Sequence, residues 1–269
     1  MFKDISFGQY YPADSALHKA DPRVKLLLLV MILVFIFLAD NFASILLIAT
    51  LVVALVAFSK IPVMLFVKNL KPVIPVIIIA SLLNIIYVKD GTVLFNWHFI
   101  TVSDTGIFRA VFIFVRIVLL IVAGGLLTYT TTPTQLTAGL ESIFSPLKFI
   151  GLGEGVHTLA MMMTIALRFI PTLIEESQKI IAAQRSRGAD FESGSFAKRI
   201  KALVPVLIPL LISSVRRAME LADAMDCRCY HGGKGRTHYK CFKMRFADYL
   251  YFIAVTFVCI AVIVINAIL

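Results

Sequence analysis

A chain of 269 residues that is 59% hydrophobic and only 16% charged is more apolar than an ordinary soluble domain, where about half of the residues are apolar. The excess lies in long runs, so the chain reads as an all-α polytopic membrane protein. Its net charge of +10 sits in loops, where the positive-inside rule explains it without a nucleic-acid partner.

Residues 1–25 are polar and turn-rich, with Gly8-Gln9-Tyr10-Tyr11-Pro12, Ser15, His18 and Asp21-Pro22-Arg23. A first apolar run, Leu26 to Ala39, is separated by Asp40-Asn41 from a second, Ala43 to Phe58, which together predict a tight helical hairpin across the bilayer. The first run is short for ~30 Å of hydrocarbon, so its helix should extend past these marks. It begins only after Lys25 and lacks a small-residue cleavage site, so it does not read as a cleavable signal peptide.

Lys60 to Lys71 is a basic connector. Pro72 and Pro75 open a third run, Val73 to Val88, as suits proline in a first helical turn. Lys89-Asp90-Gly91 ends it. Thr92 to Ser103, around Asn96-Trp97-His98, is β-branched and aromatic and predicts a short external β-hairpin. The fourth run, Ile107 to Thr128, carries Arg109 and Arg116 near one helix face. Arg109 is near enough to the end to snorkel, whereas an arginine as deep as Arg116 should face protein or water.

The character changes from Thr130 to Arg245. Thr132 reads as a helix cap before Pro133-Thr134-Gln135, and Pro146 breaks that helix. A long helical pattern runs from Gly153 or Glu154 through Met161-Met162-Met163 and Pro171 to Arg187. At 1.5 Å per residue it is ~50 Å long, and Pro171 should kink it. Gly188 supplies its stop, and a polar loop, Ala189 to Ser195, follows. A second long pattern, Phe196 to Arg228, holds Pro205 and Pro209, and Gly232-Gly233 and Gly235 form the next loop. The last span is Tyr249 to Ile268. The expected organisation is an N-terminal membrane domain of four spans (1–129), a cytoplasmic or interfacial coupling region (130–245) and a C-terminal transmembrane helix (246–269), about five main spans in all.

Thr130–Arg245 contains 16 Lys/Arg and nine Asp/Glu, whereas Lys89–Gly106 contains one basic residue. That asymmetry predicts a cytoplasmic N-terminus and coupling region and an external C-terminus. The four cysteines come late, three of them in the basic region, where a reducing cytoplasm argues against disulfides.

Two segments carry the functional signal: Ala183-Gln184-Arg185-Ser186-Arg187-Gly188 and Ala224-Met225-Asp226-Cys227-Arg228-Cys229-Tyr230. Each sets an arginine between small residues where a long amphipathic helix ends. Read alone, that is a helix C-terminus made favourable by its dipole, at ~0.3–1 kcal/mol. The repetition, the length of the helices and the small flanking residues point further. A lone multi-donor side chain between small neighbours suits insertion into a partner's groove and pairing with carboxylates there. Two similar plugs imply two similar sockets.

On these residues the chain resembles the transmembrane T-component of energy-coupling factor (ECF) transporters, the vitamin and transition-metal importers driven by ABC-type ATPases. Gly8-Gln9-Tyr10, Ser15, Leu17-His18, Asp21-Pro22-Arg23, Pro133 with Gln135-Leu136, and Arg168-Phe169-Ile170-Pro171 are also similar to that family. In the family, Ala-Arg-Gly-like signatures end two coupling helices, and each arginine docks into one of two ATPase subunits. The resemblance gives those roles to Arg187 and Arg228, flanked by Ser186 and Gly188 and by Cys227 and Cys229. It also implies a membrane-embedded substrate-binding S-component beside the chain. Met161, Met162, Met163, Pro171, Pro205 and Pro209 are then expected to pack and shape the coupling helices. The implied subunit is non-catalytic, with no cofactor and no metal of its own. Ser186 stands where the family has alanine, and Cys227 and Cys229 where it has alanine and glycine. A cysteine enters the left-handed region less readily than glycine, so the second helix is expected to end differently, with Gly232-Gly233 completing its turn.

Other constellations are weaker. Cys227, Cys229, His231, His238 and Cys241 cluster, but in no standard zinc spacing, and a metal there would enclose Arg228. The methionine run could line a soft-metal path, though adaptable packing is its commoner use. His18 with Asp21 could mimic an acid–base pair, but Asp21 before Pro22 suits a turn. Lone His18, His98 and His157 read as hydrogen-bonded structural residues. The chain carries no Walker-type glycine loop, Gly-x-Ser-x-Gly or His-Glu-x-x-His motif. A secondary transporter or channel acting alone, and an intramembrane enzyme, are the alternatives. The first would need ionisable residues deep in several spans, where only Arg116 stands out.

Overall fold

The computed structural model describes residues 10–88, 92–97, 100–146, 153–189, 191, 195–232 and 244–268. Gly8-Gln9, Lys89-Asp90-Gly91, His98, Ser193, Gly233, Gly235, His238 and Cys241 lie outside the described residues. Chain contacts separate two compact units, Gly8–Gly139 with Lys240–Leu269, and Leu140–Tyr239.

In the first unit α1 (Pro22–Leu38) begins where Asp21 accepts from the Arg23 N–H at 2.9 Å and Pro22 presets the first turn. The helix thus extends four residues before the apolar run, through Lys25. α2 (Phe42–Ser59) completes the expected hairpin and ends on Lys60 in a left-handed conformation (φ 57°). The basic connector is itself a helix, α3 (Val63–Leu70), bent by 63° from α4 (Ile74–Tyr87). Eight residues are too short for a hydrophobic period to show, so the sequence hides this element. β1 (Val93–Trp97) and β2 (Ile100–Ser103) pair antiparallel as expected, with an irregularity between Val93 and Phe95. α5 (Asp104–Thr130) is capped by Ser103, whose hydroxyl accepts from the Gly106 N–H. α9 (Phe246–Ile268) returns to pack on α1 and α2, so the last helix shares the core of the first unit. Ile36, Ile45, Ile48, Val52, Val255 and Val262 fill that core, each at most 2% exposed.

Two polar clasps fasten α1 to its neighbours. At its C-terminal end, Arg116 of α5 donates to the Ala39 carbonyl and lies over the Phe112 ring, 4.7 Å from its centroid. Asn266 of α9 donates to Leu38 O at 2.7 Å and accepts from Ser44 Oγ at 2.6 Å. Side chains thus satisfy carbonyls that the end of α1 leaves open. At the other end, Lys25 Nζ donates to His18 O (3.1 Å) and Thr130 O (3.0 Å). Asp248 accepts from the backbone N–H groups of Asp21 (3.2 Å) and Arg245 (2.7 Å). Asp21, Lys25 and Asp248 are all buried, so the cation has carboxylates to balance it.

The N-terminal segment is stitched to this end. Tyr11 N–H donates to Tyr129 O at 3.0 Å. His18 donates from Nε2 to Tyr11 O (3.0 Å), which leaves Nδ1 to accept from the Ser15 hydroxyl at 2.7 Å. Burial holds the His18 imidazole below the ordinary histidine range. His18 is therefore a hydrogen-bonded structural residue, and Asp21 is engaged with α1 and not with His18.

α6 (Pro133–Phe144) carries the chain from the first unit into the second. Thr132 Oγ1 accepts from the Gln135 N–H and Gln135 Oε1 accepts from the Thr132 N–H, both at 3.3 Å, forming a reciprocal capping box. The second unit is built on α7 (Gly153–Ser186) and α8 (Phe196–Asp226). By length and apolar composition, α2, α5, α7, α8 and α9 qualify as membrane spans, and the α3–α4 pair counts as a sixth if taken as one bent span. The sequence reading counts α1 and α4 instead of α7 and α8. α1, at 17 residues, and α4, at 14, are short as helices, whereas α7 and α8 each contain one window of mean hydropathy 1.4 or 1.6, well below the 2.6 of α2.

Candidate functional site

α7 and α8 end in the same way, atom for atom. At the end of α7, the Ala189 N–H donates to Gln184 O (3.0 Å) and the Gly188 N–H to Arg185 O (2.9 Å). At the end of α8, the Tyr230 N–H donates to Met225 O (3.1 Å) and the Cys229 N–H to Asp226 O (2.9 Å). These nested six-to-one and five-to-two bonds are the Schellman cap, which satisfies carbonyls that a helix leaves open. The left-handed residue is Gly188 (φ 85°) in one and Cys229 (φ 54°) in the other. Arg187 and Arg228 therefore hold the same position, the last before the chain reverses.

This corrects the expectation for Cys229. It does enter the left-handed region, and Gly232-Gly233 is not needed to close the turn. The two backbone bonds of the cap offset a conformational cost of about 1–2 kcal/mol for a residue with a Cβ. Gly188 meets no crowding, since a Cβ there would have nothing within 4 Å, so its requirement is the positive φ alone.

Ser186, Arg187, Gly188, Cys227, Arg228 and Cys229 are all exposed. Neither the Arg187 nor the Arg228 guanidinium makes a hydrogen bond or ion pair with another described residue. Each guanidinium stands at the negative end of its helix dipole. Cys227 and Cys229 are free, exposed thiols beside Arg228. Of the suggested zinc cluster, His238 and Cys241 fall outside the described residues, and no group of three or more metal-ligating side chains occurs among those described.

α7 and α8 run in opposite directions against each other. Ile181 shares one groove with Leu203, and Ile165 shares another with Met225, with Leu173 lining both. Their polar contact is compact: Arg217 donates to Glu176 Oε2 at 2.6 Å, and the Ser213 hydroxyl bonds the other oxygen of the same carboxylate. With opposite directions, the two arginine caps fall at opposite ends of the pair. His157, singled out as structural, bonds Glu141 Oε1 at 2.8 Å.

Little else in the pair is buried. α7 has no buried residue, and in α8 only Val206 reaches that class among the described side chains. Met162 and Met163 are exposed and Met161 is half-buried, so the methionine run points outward. Pro171, Pro205 and Pro209 are exposed within unbroken helices. Each removes an N–H, which deprives the carbonyls of Leu167, Lys201 and Pro205 of their usual partners. The structure brings the two arginine signatures into one helical unit. The buried Lys25–Asp21–Asp248 cluster has no local sequence signal, since Asp21 and Asp248 lie 227 positions apart.

Residues 13–239 match the family described as cobalt transport protein, CbiQ. The chain is 49% identical over 249 residues to the energy-coupling factor transporter transmembrane protein EcfT of Ruminiclostridium cellulolyticum, covering 93% of this chain and 91% of that one. It is 45% identical to the EcfT of Clostridium kluyveri, covering 97% of each, and 42% identical to that of Bacillus subtilis, covering 89% and 90%. Near-complete coverage at this identity, on a multi-pass helical fold with two arginine-ended helices, places the chain in the family of energy-coupling factor transporter transmembrane components.

Proposed function

We propose that this chain is the scaffold that couples two ABC-type ATPases to a membrane-embedded substrate-binding S-component, for ATP-driven uptake of vitamins or other micronutrients. The observation that carries the reading is the identity of the two caps. One backbone geometry presents one exposed arginine at each end of the α7–α8 pair, as two copies of one socket require. An arginine fork pairs well with carboxylates in a groove, and Ser186, Gly188, Cys227 and Cys229 are small enough to let it enter.

In this reading α7 and α8 lie on the cytoplasmic side, together with the N-terminus, and the C-terminus is external. The basic excess of Thr130–Arg245 and the low hydropathy of both helices support that side. The exposed apolar residues of the pair, among them Met162 and Met163, with Pro171, Pro205 and Pro209 shaping its rods, form the surface that transmits ATPase closure to the S-component. The subunit does no chemistry: ATP is bound and hydrolysed by the partners. A carrier acting alone is less well supported, because Arg116, the deep cation it would rely on, is spent on the α1 terminus.

Reconstitution tests the assignment. In liposomes the chain alone should neither hydrolyse ATP nor accumulate substrate. Adding the ATPases should restore hydrolysis, and uptake should also require an S-component. Gradient-driven uptake by the isolated chain would refute the scaffold. The sidedness has its own test in intact cells. An impermeant thiol reagent should label a cysteine placed at Asp90 and miss one placed at Ser193; the reverse pattern would overturn the topology.

A further inference from the structure

α3 is amphipathic in an unusual sense: one face is locked into the fold, and the other is both apolar and basic. Phe66 is the lock, 4% exposed, with its ring edge-on to Tyr129 at 5.3 Å. Tyr129 Oη donates to Leu65 O at 3.2 Å. On the outer side Val63, Met64 and Val67 are 65%, 74% and 52% exposed. Lys68 is exposed beside them, and Lys60 and Lys71 are exposed at the two ends of the helix. No acidic residue occurs between Asn41 and Lys89, so these lysines have no carboxylate of their own segment. Asp14, whose field reaches Lys60, is already paired with Lys19 at 3.0 Å.

The angle decides what this face meets. At 63° from α4, an eight-residue helix ~12 Å long advances only ~5 Å along the α4 axis. It contributes little to crossing a bilayer and lies mainly across the direction of the spans. Its apolar face is continuous with membrane-facing surface on both sides, through exposed Phe58 at the end of α2 and exposed Ile74 and Val76 at the start of α4. A short helix lying across the span direction, with apolar residues among lysines, is how a chain rests at the boundary between acyl chains and headgroups. Lysine stems cover apolar surface there while the ammonium groups reach the phosphates.

We propose that α3, with Lys60, Lys68 and Lys71, is a binding site for anionic phospholipid headgroups, the lysines taking the phosphate and Val63, Met64 and Val67 the upper acyl chain. The charge of the face and its continuity with the lipid-facing helices select the bilayer over a protein subunit as its occupant. A basic segment at an anionic leaflet gains affinity with each lysine, so losing three should weaken anionic-lipid preference on the order of a hundredfold.

Trp97 is the one tryptophan of the chain, so Met64→Trp with Trp97→Phe sets a single indole on α3. The full-length variant is placed in phosphatidylcholine nanodiscs containing a small fraction of brominated phosphatidylglycerol, or the same fraction of brominated phosphatidylcholine. The brominated anionic lipid should quench several-fold more strongly. The difference should vanish on adding Lys60→Gln, Lys68→Gln and Lys71→Gln, shrink at high salt and persist in added inorganic phosphate. Equal quenching by the two lipids, or a preference that survives the triple substitution, would overturn the proposal. So would no quenching by either, which would mark α3 as a water-facing or subunit-facing surface. Native mass spectrometry reads the same comparison without the new indole. The unsubstituted chain should retain more phosphatidylglycerol than its triple-glutamine variant, and equal retention would contradict the site.

Discussion

α2 and α7 are both long apolar helices, yet the protein uses them in opposite ways. A third of α2's apolar window, 33%, is buried within the chain, against 6% of α7's. The first unit encloses its own core and closes its helix ends with Arg116, Asn266, Lys25 and Asp248. The second packs its two rods along one seam, apolar apart from the polar cluster at Glu176, and leaves the rest of both helices exposed. Apolar surface that a chain does not bury for itself is surface kept for something else. The contrast separates a unit that buries a core of its own from a unit that leaves most of its apolar surface exposed.

Six substitutions would break or sharpen that contrast. The largest effect should come from Asp248→Ala, which leaves the Asp21 and Arg245 N–H groups without their acceptor and removes a carboxylate whose field reaches the buried Lys25. Each buried donor so orphaned costs about 1–3 kcal/mol, read as a lower unfolding midpoint in mixed micelles. A midpoint unchanged from the parent would mean that the clasp is ornamental. Next, Ile36→Ala in the first unit should cost about 2–5 kcal/mol, whereas Met162→Ala in α7 should stay within ~0.5 kcal/mol for the isolated chain. Met162→Ala should instead weaken coupling to the S-component in the assembled transporter. Equal losses of stability at the two positions would erase the distinction between the units.

A smaller effect tests the two caps. Cys229→Gly should stabilise the end of α8 by about 1 kcal/mol, and Gly188→Ala should destabilise the end of α7 by a similar amount, since both residues sit at positive φ. Local hydrogen exchange at Tyr230 and Ala189 reads each change. Slower exchange after Gly188→Ala would refute the cap. The smallest effect concerns His18. Burial lowers its folded-state value from the ordinary 6.5, so its contribution to stability is present above that pH and is lost as pH falls through the folded value. His18→Gln should flatten the acid side of the stability profile in the first unit. A profile unchanged by the substitution would show that the imidazole titrates as it does in water.

Much of this was legible residue by residue. The threonine cap followed by proline marked α6, and glycine after arginine marked the end of α7, whereas Asp21-Pro22, read as a turn, is in fact the start of α1. Each is a local rule in which a side chain answers an open backbone group. The family followed from the arginine signatures and from residues along most of the chain. The remainder was not local. Cys229 turns left-handed because the backbone bonds of the cap outweigh a propensity read from one residue. The Asp21–Asp248 bond joins the two ends of the chain, and α3 is too short to show a period. Hydropathy ranks α7 and α8 among possible spans, but below α2, α5 and α9.

The proposal that the paired arginines hold the ATPases stands or falls on one pull-down. With the chain solubilised together with its partners, Arg187→Glu and Arg228→Glu should each reduce ATPase recovery. The double variant should abolish it, because each reversed arginine forfeits several kcal/mol of paired charge at its socket. The double variant should still be found in the membrane fraction with α7 and α8 folded, since neither side chain bonds another described residue. Undiminished recovery of both ATPases with the double variant would contradict the docking role outright.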